Sequence, residues 1–456
     1  MCTVSGDQET PLTYRVKHVP IVVVPGIMGT RLSDADHHLM WNPKSARLHG
    51  RSPGDFAARC ARLMQLSHPL YPDEWNTEGY DADRARRARY IPNFFHCIPD
   101  FYDDLCFTLR EDLAHELHDR HIRPRVYCSG YDWRTDNYYG AVLLKRVLEA
   151  AVAECDGEPA IIVAHSMGGL VSRYYCHVLG GARFVRALFL LGSPSLGATQ
   201  PYALLKRGII ESDDRDLFGL RLAVMALDQG GSRNFVRAMA SMYQLLPNRQ
   251  FARADPHWLH YDTTQSGYPY AHTPGALDAR TTLGSCGTAG YDIYRDMFAG
   301  FAERAASRDT YNRYVQAADD FHGRLQVGDR AYMHPETRAI VCGNMDTTVR
   351  ATLSSYGGVE AQGGVNEYVP STMARLTGLG DAEAPLALES GRGDTKVPEL
   401  SSTPGPELLT HPLRNTDYVL DVAHGDLPND PDVRRLLVQR IQELHFTEAR
   451  VAPRAS

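Results

Sequence analysis

The sequence predicts an α/β fold in which helices cover both faces of a mostly parallel central sheet. Two observations predict it: short β-branched runs alternate with helical patterns along much of the 456-residue chain, and glycine-bearing turns follow several of these runs. The predicted strands cover residues 20–24, 123–128, 161–164, 185–191, 337–342 and 418–422. The predicted helices that connect or follow them cover residues 137–152, 170–179 and 431–444.

Each element is predicted from its own local pattern. Residues 20–24 and 161–164 are uninterrupted apolar runs, which is typical of strands buried on both faces. The apolar spacing of residues 137–152 and 431–444 is that of a helix. Residues 185–191 run into a turn with two glycines, so we expect a strand that ends there.

Two insertions interrupt the pattern. Residues 198–329 are rich in Arg, Asp, Tyr and Gly, with helical patches at 217–227, 234–243 and 295–322, and we expect them to cap the carboxyl end of the sheet as a lid. The expected domains are an N-terminal extension (1–18), a core (19–197 and 330–456, with the 43–100 insertion subdomain) and the cap (198–329). One aromatic group is a candidate for lipid contact or for a small subdomain core: Trp75, Tyr80, Tyr90, Phe94, Phe95, Phe101 and Tyr102.

Composition excludes several classes of protein. The formal net charge is −7 and the pI is about 6.2, without a block of like charges, so we expect no nucleic-acid partner. The longest apolar runs, such as 21–24 and 187–191, are far shorter than the roughly 20 residues that span a bilayer. The nine cysteines are scattered without a Cys-x-x-Cys pair, so we predict neither a zinc site nor a disulfide framework, and we expect no cofactor.

The beginning of the sequence bears on location. It lacks a basic stretch followed by an apolar one, which is the pattern of a secretory signal. Together with the cysteine pattern, this predicts a cytoplasmic protein, and it leaves open export by a route that needs no such signal.

One serine lies in a sharp turn between a predicted strand and a predicted helix. The turn reads Ala-His-Ser-Met-Gly at residues 164–168, with Ser166 at its centre. Such a nucleophile elbow needs small residues two positions before and after the serine, because strand and helix come very close there. Gly168 meets this requirement, and Ala164 replaces the usual first glycine with one additional methyl group. The pattern indicates Ser166 as the nucleophile of a serine hydrolase.

A serine hydroxyl is a weak nucleophile at neutral pH, so Ser166 requires a histidine base and a carboxylate that orients it. In this kind of fold both follow the serine, and the acid comes first. His424 lies between the last predicted strand and the final helix, and is favoured over His411, which lacks a preceding strand. Asp394, in a tight glycine turn, is favoured as the acid over Asp346, which directly follows a core strand and stays a candidate.

Acyl transfer also requires backbone N–H groups that face the developing oxyanion. Met167, directly after the nucleophile, is one expected donor. Ile27, in the glycine-bearing loop after the first strand, is the other. His165 also neighbours Ser166, but adjacent side chains on an elbow point apart, so we expect it to contribute only to packing.

Five segments form a pattern in one order along the chain: residues 23–32, 131–134, 164–169, 243–247 and 393–398. Together they resemble the lecithin:cholesterol acyltransferase and lysosomal phospholipase A2 family. The most specific are Tyr-Asp-Trp-Arg in the second segment and Leu-Leu-Pro in the fourth, which a generic hydrolase does not need. The acid turn departs from the family, since it reads Gly-Asp-Thr-Lys-Val-Pro in place of Gly-Asp-Gly-Thr-Val-Pro.

This resemblance implies an α/β-hydrolase core with a lid after the fourth predicted strand and a lipid-facing subdomain. It implies Ser166, Asp394 and His424 as the triad, and Ile27 and Met167 as oxyanion donors. The implied activity is cleavage of carboxylic esters, of lipase or phospholipase type, through an acyl-enzyme that passes to water or to an alcohol. The implied partners are a lipid or ester substrate and, transiently, a membrane surface. A membrane- or lipid-targeting effector or binding protein on a hydrolase scaffold is the alternative.

Overall fold

The computed structural model describes residues 16–33, 39–41, 71–72, 99–207, 236–255, 258–262, 305–354 and 386–446, which form both helices and strands. The strands are β1 (Lys17–Val24), β2 (Leu32–Ser33), β3 (Leu39–Trp41), β4 (Tyr71–Pro72), β5 (Ile122–Cys128), β6 (Ala160–His165), β7 (Val185–Leu191), β8 (Leu259–Asp262), β9 (Gln326–Val327), β10 (Arg330–Ala331), β11 (Thr337–Cys342), β12 (Met345–Ser354), β13 (Leu386–Gly393) and β14 (Asn415–Val419). The α-helices are α1 (Pro99–Phe107), α2 (Leu113–Glu116), α3 (Asn137–Glu154), α4 (Gly168–His177), α5 (Gln200–Arg207), α6 (Ala240–Gln244), α7 (Arg249–Ala254), α8 (Ala305–Arg324), α9 (Glu399–Ser402) and α10 (Pro431–Gln442). A π-helical turn (Thr108–Asp112) joins α1 to α2, and 3₁₀ turns cover His118–Arg120, Gly181–Phe184 and Pro406–Leu408.

Six of the strands form the central sheet, in the order β14-β11-β7-β6-β1-β5, and every neighbouring pair is parallel. Helix α3 connects β5 to β6, and α4 connects β6 to β7. Strands β5 and β6 lie on opposite sides of β1, so the strand order reverses at this point. Parallel sheets bind ligands outside the carboxyl ends of their strands at such a reversal. The loops that follow β1 and β6 meet there.

Alternate side chains of the strands pack on opposite faces of the sheet. In β1, Val22 and Val24 belong to a core cluster that includes side chains of α3 and α4. Ile21 and Val23 belong to a second cluster, which includes side chains of α1 and α10. Because both faces are covered, the strand needs an apolar residue at nearly every position. The parallel sheet with helices on both faces that the sequence predicts is therefore confirmed.

The last strand is displaced from its predicted position. The pattern predicts residues 418–422, whereas β14 covers Asn415–Val419. Beyond Val419, Leu420 is 70% exposed and Asp421 has a left-handed φ of 57°, so the chain turns away from the sheet. Apolar residues inside this turn produce a pattern that resembles a strand.

The sequence pattern does not predict a second sheet, which has the order β13-β12-β8. Strands β12 and β13 are antiparallel, and β8 pairs with β12 in parallel. In β12, Thr347 and Ala351 are buried, and the residues between them are partly buried. Since β8 comes from the predicted cap and the other two strands from the predicted core, this sheet links the two segments.

Several predictions fall wholly or partly outside the described residues. These are the helical patch at 217–227, the beginnings of the patches at 234–243 and 295–322, and the aromatic residues of the first insertion up to Phe95. Of that aromatic group, Tyr102 is buried and Phe101 packs against the core, so these two side chains do not form an exposed lipid-contacting surface. The domain boundaries remain predictions.

Candidate active site

Ser166 lies in a strained turn between β6 and α4. Its φ of 53° is left-handed, which is uncommon for a residue other than glycine. Two hydrogen bonds hold the turn: the Ser166 N–H donates to the Leu191 carbonyl over 2.9 Å, and Ser193 Oγ donates to the Ser166 carbonyl over 2.9 Å. Strain that is held by several contacts in this way is typical of a nucleophile elbow.

The residues two positions from Ser166 explain the need for small side chains. A methyl group added at Gly168 would collide with the backbone carbonyl oxygens of Val24 and Pro25, so only glycine fits there. Ala164 is fully buried in β6, and its methyl group belongs to the core cluster beside α3 and α4. The alanine in place of the usual first glycine is therefore accommodated by packing.

The structure brings His424 and Asp394 to Ser166. His424 Nε2 lies 2.8 Å from Ser166 Oγ, and His424 Nδ1 lies 2.7 Å from Asp394 Oδ2. Asp394 is 1% and His424 8% exposed. The serine hydroxyl donates to Nε2 only when that nitrogen carries no proton, and Nδ1–H then donates to the carboxylate. This is the tautomer in which a histidine can act as a general base toward serine.

A tight turn orients the Asp394 carboxylate. Its Oδ1 accepts hydrogen bonds from the N–H groups of Lys396 and Val397 over 3.1 and 2.8 Å, which leaves Oδ2 for the histidine. The Asp394 carbonyl also accepts a 2.8 Å hydrogen bond from the His424 N–H, so backbone and side chain both join the two residues. A methyl group at Gly192 would lie 2.6 Å from Asp394 Oδ2, so the glycine leaves room for the carboxylate.

The weaker sequence candidates lie at the surface. Asp346 is exposed in β12, where its backbone lies opposite that of Arg392 in the antiparallel strand β13. His411 is exposed in the segment that leads to β14. The structure thus assembles Asp394 and His424, the pair preferred from the sequence, beside Ser166.

Ile27 and Met167 lie in the two loops that meet at the serine. A methyl group added at Gly26 would lie 2.8 Å from Ser166 Cβ, so the loop that carries Ile27 touches the elbow. The Gly29 N–H donates to the Gly26 carbonyl over 3.1 Å and closes a turn around Ile27. Met167 directly precedes the first residue of α4. N–H groups at a helix N-terminus have no acceptor within the helix, so they are suited to an oxyanion.

The Tyr-Asp-Trp-Arg segment supports the loop after β1. Tyr131 Oη donates to the Pro25 carbonyl over 2.9 Å, and Trp133 Nε1 donates to the Thr30 carbonyl over 3.2 Å. Both side chains are buried. The two hydrogen bonds lie on either side of Ile27 in sequence, so this segment restrains both ends of the loop. The segment contributes no reacting group, and its restraint of this loop explains physically why the motif is needed.

The charged residues of the same segment restrain each other. Arg134 donates from Nε and from its second terminal nitrogen to the two carboxylate oxygens of Asp132, over 2.9 and 2.7 Å. Such bidentate pairs have a well-defined geometry. Ser241 Oγ donates to the Trp133 carbonyl over 2.5 Å, which connects the segment to α6.

The Leu-Leu-Pro segment at residues 245–247 packs against the loop after β7. Two backbone hydrogen bonds join them: the Ala198 N–H donates to the Leu245 carbonyl over 2.8 Å, and the Asn248 N–H donates to the Leu196 carbonyl over 2.9 Å. These contacts therefore join an internal part of the predicted cap to the cap's first residue and to the adjoining core loop.

His165 contributes more than the packing expected from the sequence. Its Nδ1 lies 2.9 Å from Tyr102 Oη, and its Nε2 lies 2.9 Å from the His424 carbonyl oxygen. Burial, and then the proximity of His424, lower the pKa of His165 to about 3, so the ring is neutral near pH 7. The sequence holds no signal for this role, because Tyr102 lies 63 positions away.

Comparison with known proteins identifies a family that part of the chain resembles. Residues 113–281 match the model of the lecithin:cholesterol acyltransferase family. The chain resembles this family. Phospholipid:diacylglycerol acyltransferase 1 of Arabidopsis thaliana is 25% identical over 232 residues, which are 44% of this chain and 31% of the plant protein. The chain spans less than a third of this relative's length. The family resemblance inferred from the motifs is confirmed.

A solved structure shows the same fold over nearly the whole chain. A chain of the Tle4-Tli4 complex matches with a TM-score of 0.59 and 17% identity, over 94% of this chain and 99% of that one. The mature lipase BlEst2 of Bacillus licheniformis matches with a TM-score of 0.31 and 10% identity, over 95% and 96% of the two chains. The α/β-hydrolase fold expected from the sequence is confirmed. The family whose model matches is named for an acyltransferase.

Two further properties concern membranes and metals. In the described ranges, no helix combines the length and apolar character needed to cross a bilayer. Within the same part of the chain, no three His, Cys, Asp or Glu side chains are grouped so that they could hold a metal ion.

Proposed function

We propose that the protein is a serine esterase that cleaves carboxylic esters of lipids through an acyl-enzyme on Ser166. One observation carries the proposal: the continuous hydrogen-bond chain from Ser166 Oγ through the His424 ring to the Asp394 carboxylate, over 2.8 and 2.7 Å. All three side chains are buried at the carboxyl end of the sheet, beside the reversal of strand order.

The proposed reaction begins with attack of Ser166 Oγ on the ester carbonyl carbon. His424 Nε2 accepts the hydroxyl proton, and the Asp394 carboxylate stabilises the imidazolium that forms. The carbonyl oxygen becomes an oxyanion, which the N–H groups of Ile27 and Met167 stabilise. When the tetrahedral intermediate collapses, the bond to the leaving alcohol breaks, and His424 returns the proton to that alcohol.

The acyl-enzyme is then resolved by the reverse sequence. Water, or a second alcohol, donates its proton to His424 and attacks the acyl carbon, so that Ser166 is released. The product is a free acid if water attacks and a new ester if an alcohol attacks. Acyl transfer is included because the matching family and the plant relative are both named as acyltransferases.

Lipids are the proposed substrate class. The names of the same two relatives refer to lecithin, cholesterol, phospholipid and diacylglycerol, all of which are lipids or carry lipid acyl chains. An enzyme acting on such substrates meets them in micelles or at a membrane surface, so we include transient contact with such a surface in the proposal.

Labelling with a fluorophosphonate probe tests the nucleophile. We expect the wild type to be labelled and Ser166→Ala to remain unlabelled. Ser172→Ala is a matched control, because Ser172 Oγ in the following helix donates to the Gly168 carbonyl over 2.7 Å. Equal labelling of Ser166→Ala, or no labelling of the wild type, would refute the esterase proposal. An unlabelled wild type that still binds lipid vesicles would support the binding-protein alternative.

A hydrolysis profile over ester chain length tests the substrate class. We expect long-chain esters to be preferred and the rate to rise sharply above the micellar threshold of the substrate. Short soluble esters that react fastest, without a rise at the threshold, would contradict lipid substrates. Adding a long-chain alcohol and measuring new ester against free acid separates acyl transfer from hydrolysis.

A further inference from the structure

A hydrogen-bonded network beside the proposed triad connects the loop after β1 to the histidine loop. The Gly26 N–H lies 2.9 Å from Tyr102 Oη, Tyr102 Oη lies 2.9 Å from His165 Nδ1, and His165 Nε2 lies 2.9 Å from the His424 carbonyl oxygen. Tyr102 and His165 are both buried, at 1% and 7% exposure. The mechanism proposed above uses neither side chain.

The two ends of the network determine the position of every proton in it. A backbone N–H can only donate, so Tyr102 Oη accepts from Gly26. A carbonyl oxygen can only accept, so the proton of the neutral His165 ring lies on Nε2 and points at the His424 carbonyl. His165 Nδ1 is then an acceptor, and it receives the Tyr102 hydroxyl proton. One tautomer of His165 satisfies all three hydrogen bonds.

At one end, the network holds Gly26, the residue directly before a proposed oxyanion donor. Tyr102 holds the N–H of Gly26, and the Gly26 carbonyl accepts from the Gly29 N–H over 3.1 Å. That carbonyl belongs to the same planar peptide as the Ile27 N–H, which therefore points in the opposite direction. Tyr102 thus holds the peptide before Gly26 and Gly29 holds the peptide after it, so together the two hydrogen bonds restrain the direction of the Ile27 N–H.

At the other end, the network holds the backbone of the proposed base. The His424 carbonyl accepts from His165 Nε2–H, and the His424 N–H donates to the Asp394 carbonyl over 2.8 Å. The His165 and His424 rings lie with their centroids 4.9 Å apart. A neutral His165 ring adds no positive charge beside the imidazolium that the reaction requires.

We infer that Tyr102 and His165 form a positioning pair, which aligns the Ile27 oxyanion donor and the His424 base with each other. The inference rests on the proposed function. Both side chains are buried and have no part in substrate binding in the proposed mechanism, so their loss should lower kcat and leave KM nearly unchanged. Removal of a whole oxyanion donor costs roughly a hundredfold to a thousandfold in kcat, and misalignment of one should cost less. We expect a loss of about tenfold to a hundredfold.

Steady-state kinetics of substituted proteins test the pair. Tyr102→Phe and His165→Leu should each lose about tenfold to a hundredfold in kcat. His165→Gln should recover most of this loss, because its amide offers one acceptor to Tyr102 and one donor to the His424 carbonyl. Tyr127→Phe is the matched control, because it also removes a buried tyrosine hydroxyl. That hydroxyl donates to Glu154 over 2.8 Å in another part of the sheet, so this variant should keep the wild-type kcat. Wild-type kcat in Tyr102→Phe, or no recovery in His165→Gln, would overturn the inference.

NMR of ¹⁵N-labelled histidines tests the network independently of catalysis. We expect one ring, assigned by its disappearance in His165→Gln, to remain neutral with its proton on Nε2 from about pH 5 to pH 9. A proton on Nδ1, or titration in this range, would overturn the inference even if the protein is a working esterase. If this tautomer is found in a protein that the fluorophosphonate does not label, the network stands and the proposed function fails.

Discussion

The Asp394→Asn substitution offers a severe test of the proposed acid, because the surroundings of Asp394 determine how the amide must lie. Oδ1 accepts two backbone hydrogen bonds, from Lys396 and Val397. Only the amide oxygen can replace it there, so the amide NH₂ group must face His424 Nδ1 in the place of Oδ2. Nδ1 would then have to accept, and the ring proton would move to Nε2, where it blocks acceptance of the Ser166 proton.

The wrong tautomer should lower kcat by about four orders of magnitude, as the corresponding change does in serine proteases. This loss corresponds to about 5.4 kcal/mol of transition-state stabilisation, at 1.36 kcal/mol for each factor of ten. The assay is hydrolysis of a chromogenic ester, together with the rate of fluorophosphonate labelling. The matched control is Asp346→Asn, which changes an exposed carboxylate in β12 and should retain nearly the full rate. If Asp394→Asn keeps more than about a tenth of the rate while Asp346→Asn loses it, the assignment of the acid is wrong.

Three further predictions concern stability. Thr395→Gly should raise the free energy of unfolding, measured by denaturant titration, by about 0.5–1 kcal/mol. The left-handed φ of 84° strains a β-branched residue by more than the entropy that glycine costs, so an unchanged or lower free energy of unfolding would contradict this prediction. Tyr131→Phe should lower the free energy of unfolding by about 1–3 kcal/mol, since the buried Pro25 carbonyl loses its donor; a change below about 0.3 kcal/mol would show that another group replaces the hydroxyl. Burial lowers the pKa of His322 to about 4, so on acidification the unfolded chain binds a proton before the folded protein does. The free energy of unfolding should therefore fall by up to about 1.4 kcal/mol per pH unit as the pH drops from about 6.5 toward 4. His322→Gln, which keeps a donor for the Gln244 carbonyl, should flatten this dependence in unfolding measured at several pH values, and an identical slope would refute it.

Local sequence patterns were sufficient for the parts of the fold that are buried on both sides. A strand such as β1 must be apolar at nearly every position when core clusters lie on both faces, and this produces an apolar run that can be recognised in the sequence alone. Strands β12 and β13 are different, because each strand is buried through its pairing with the other. Residues 355–385 separate the two strands in sequence. Pairing of this kind leaves only a weak alternation in either strand, so the second sheet could not be predicted.

The same distinction applies to the site. Ser166, Asp394 and His424 each lie in a turn or loop that follows a strand, and such turns have local signatures. The structure brings all three together, and their catalytic roles remain the proposal. His165 has no local signature beyond its position before the serine, because its contacts are with Tyr102 and with the backbone of His424. A role of this kind depends on tertiary contacts and cannot be predicted from spacing along the chain.

The departure of the acid turn from the family pattern affects its stability more than its shape. Thr395 occupies the position where the family has its second glycine, and its φ of 84° is a conformation that glycine adopts readily. The turn is held in this conformation by a hydrogen bond from the Thr395 N–H to Thr347 Oγ1 of β12, over 2.8 Å. Because the backbone keeps the form that a glycine would give it, the Asp394 carboxylate still reaches His424 at 2.7 Å. The threonine is therefore compatible with the same acid geometry, and the second sheet contributes to that geometry by supplying Thr347.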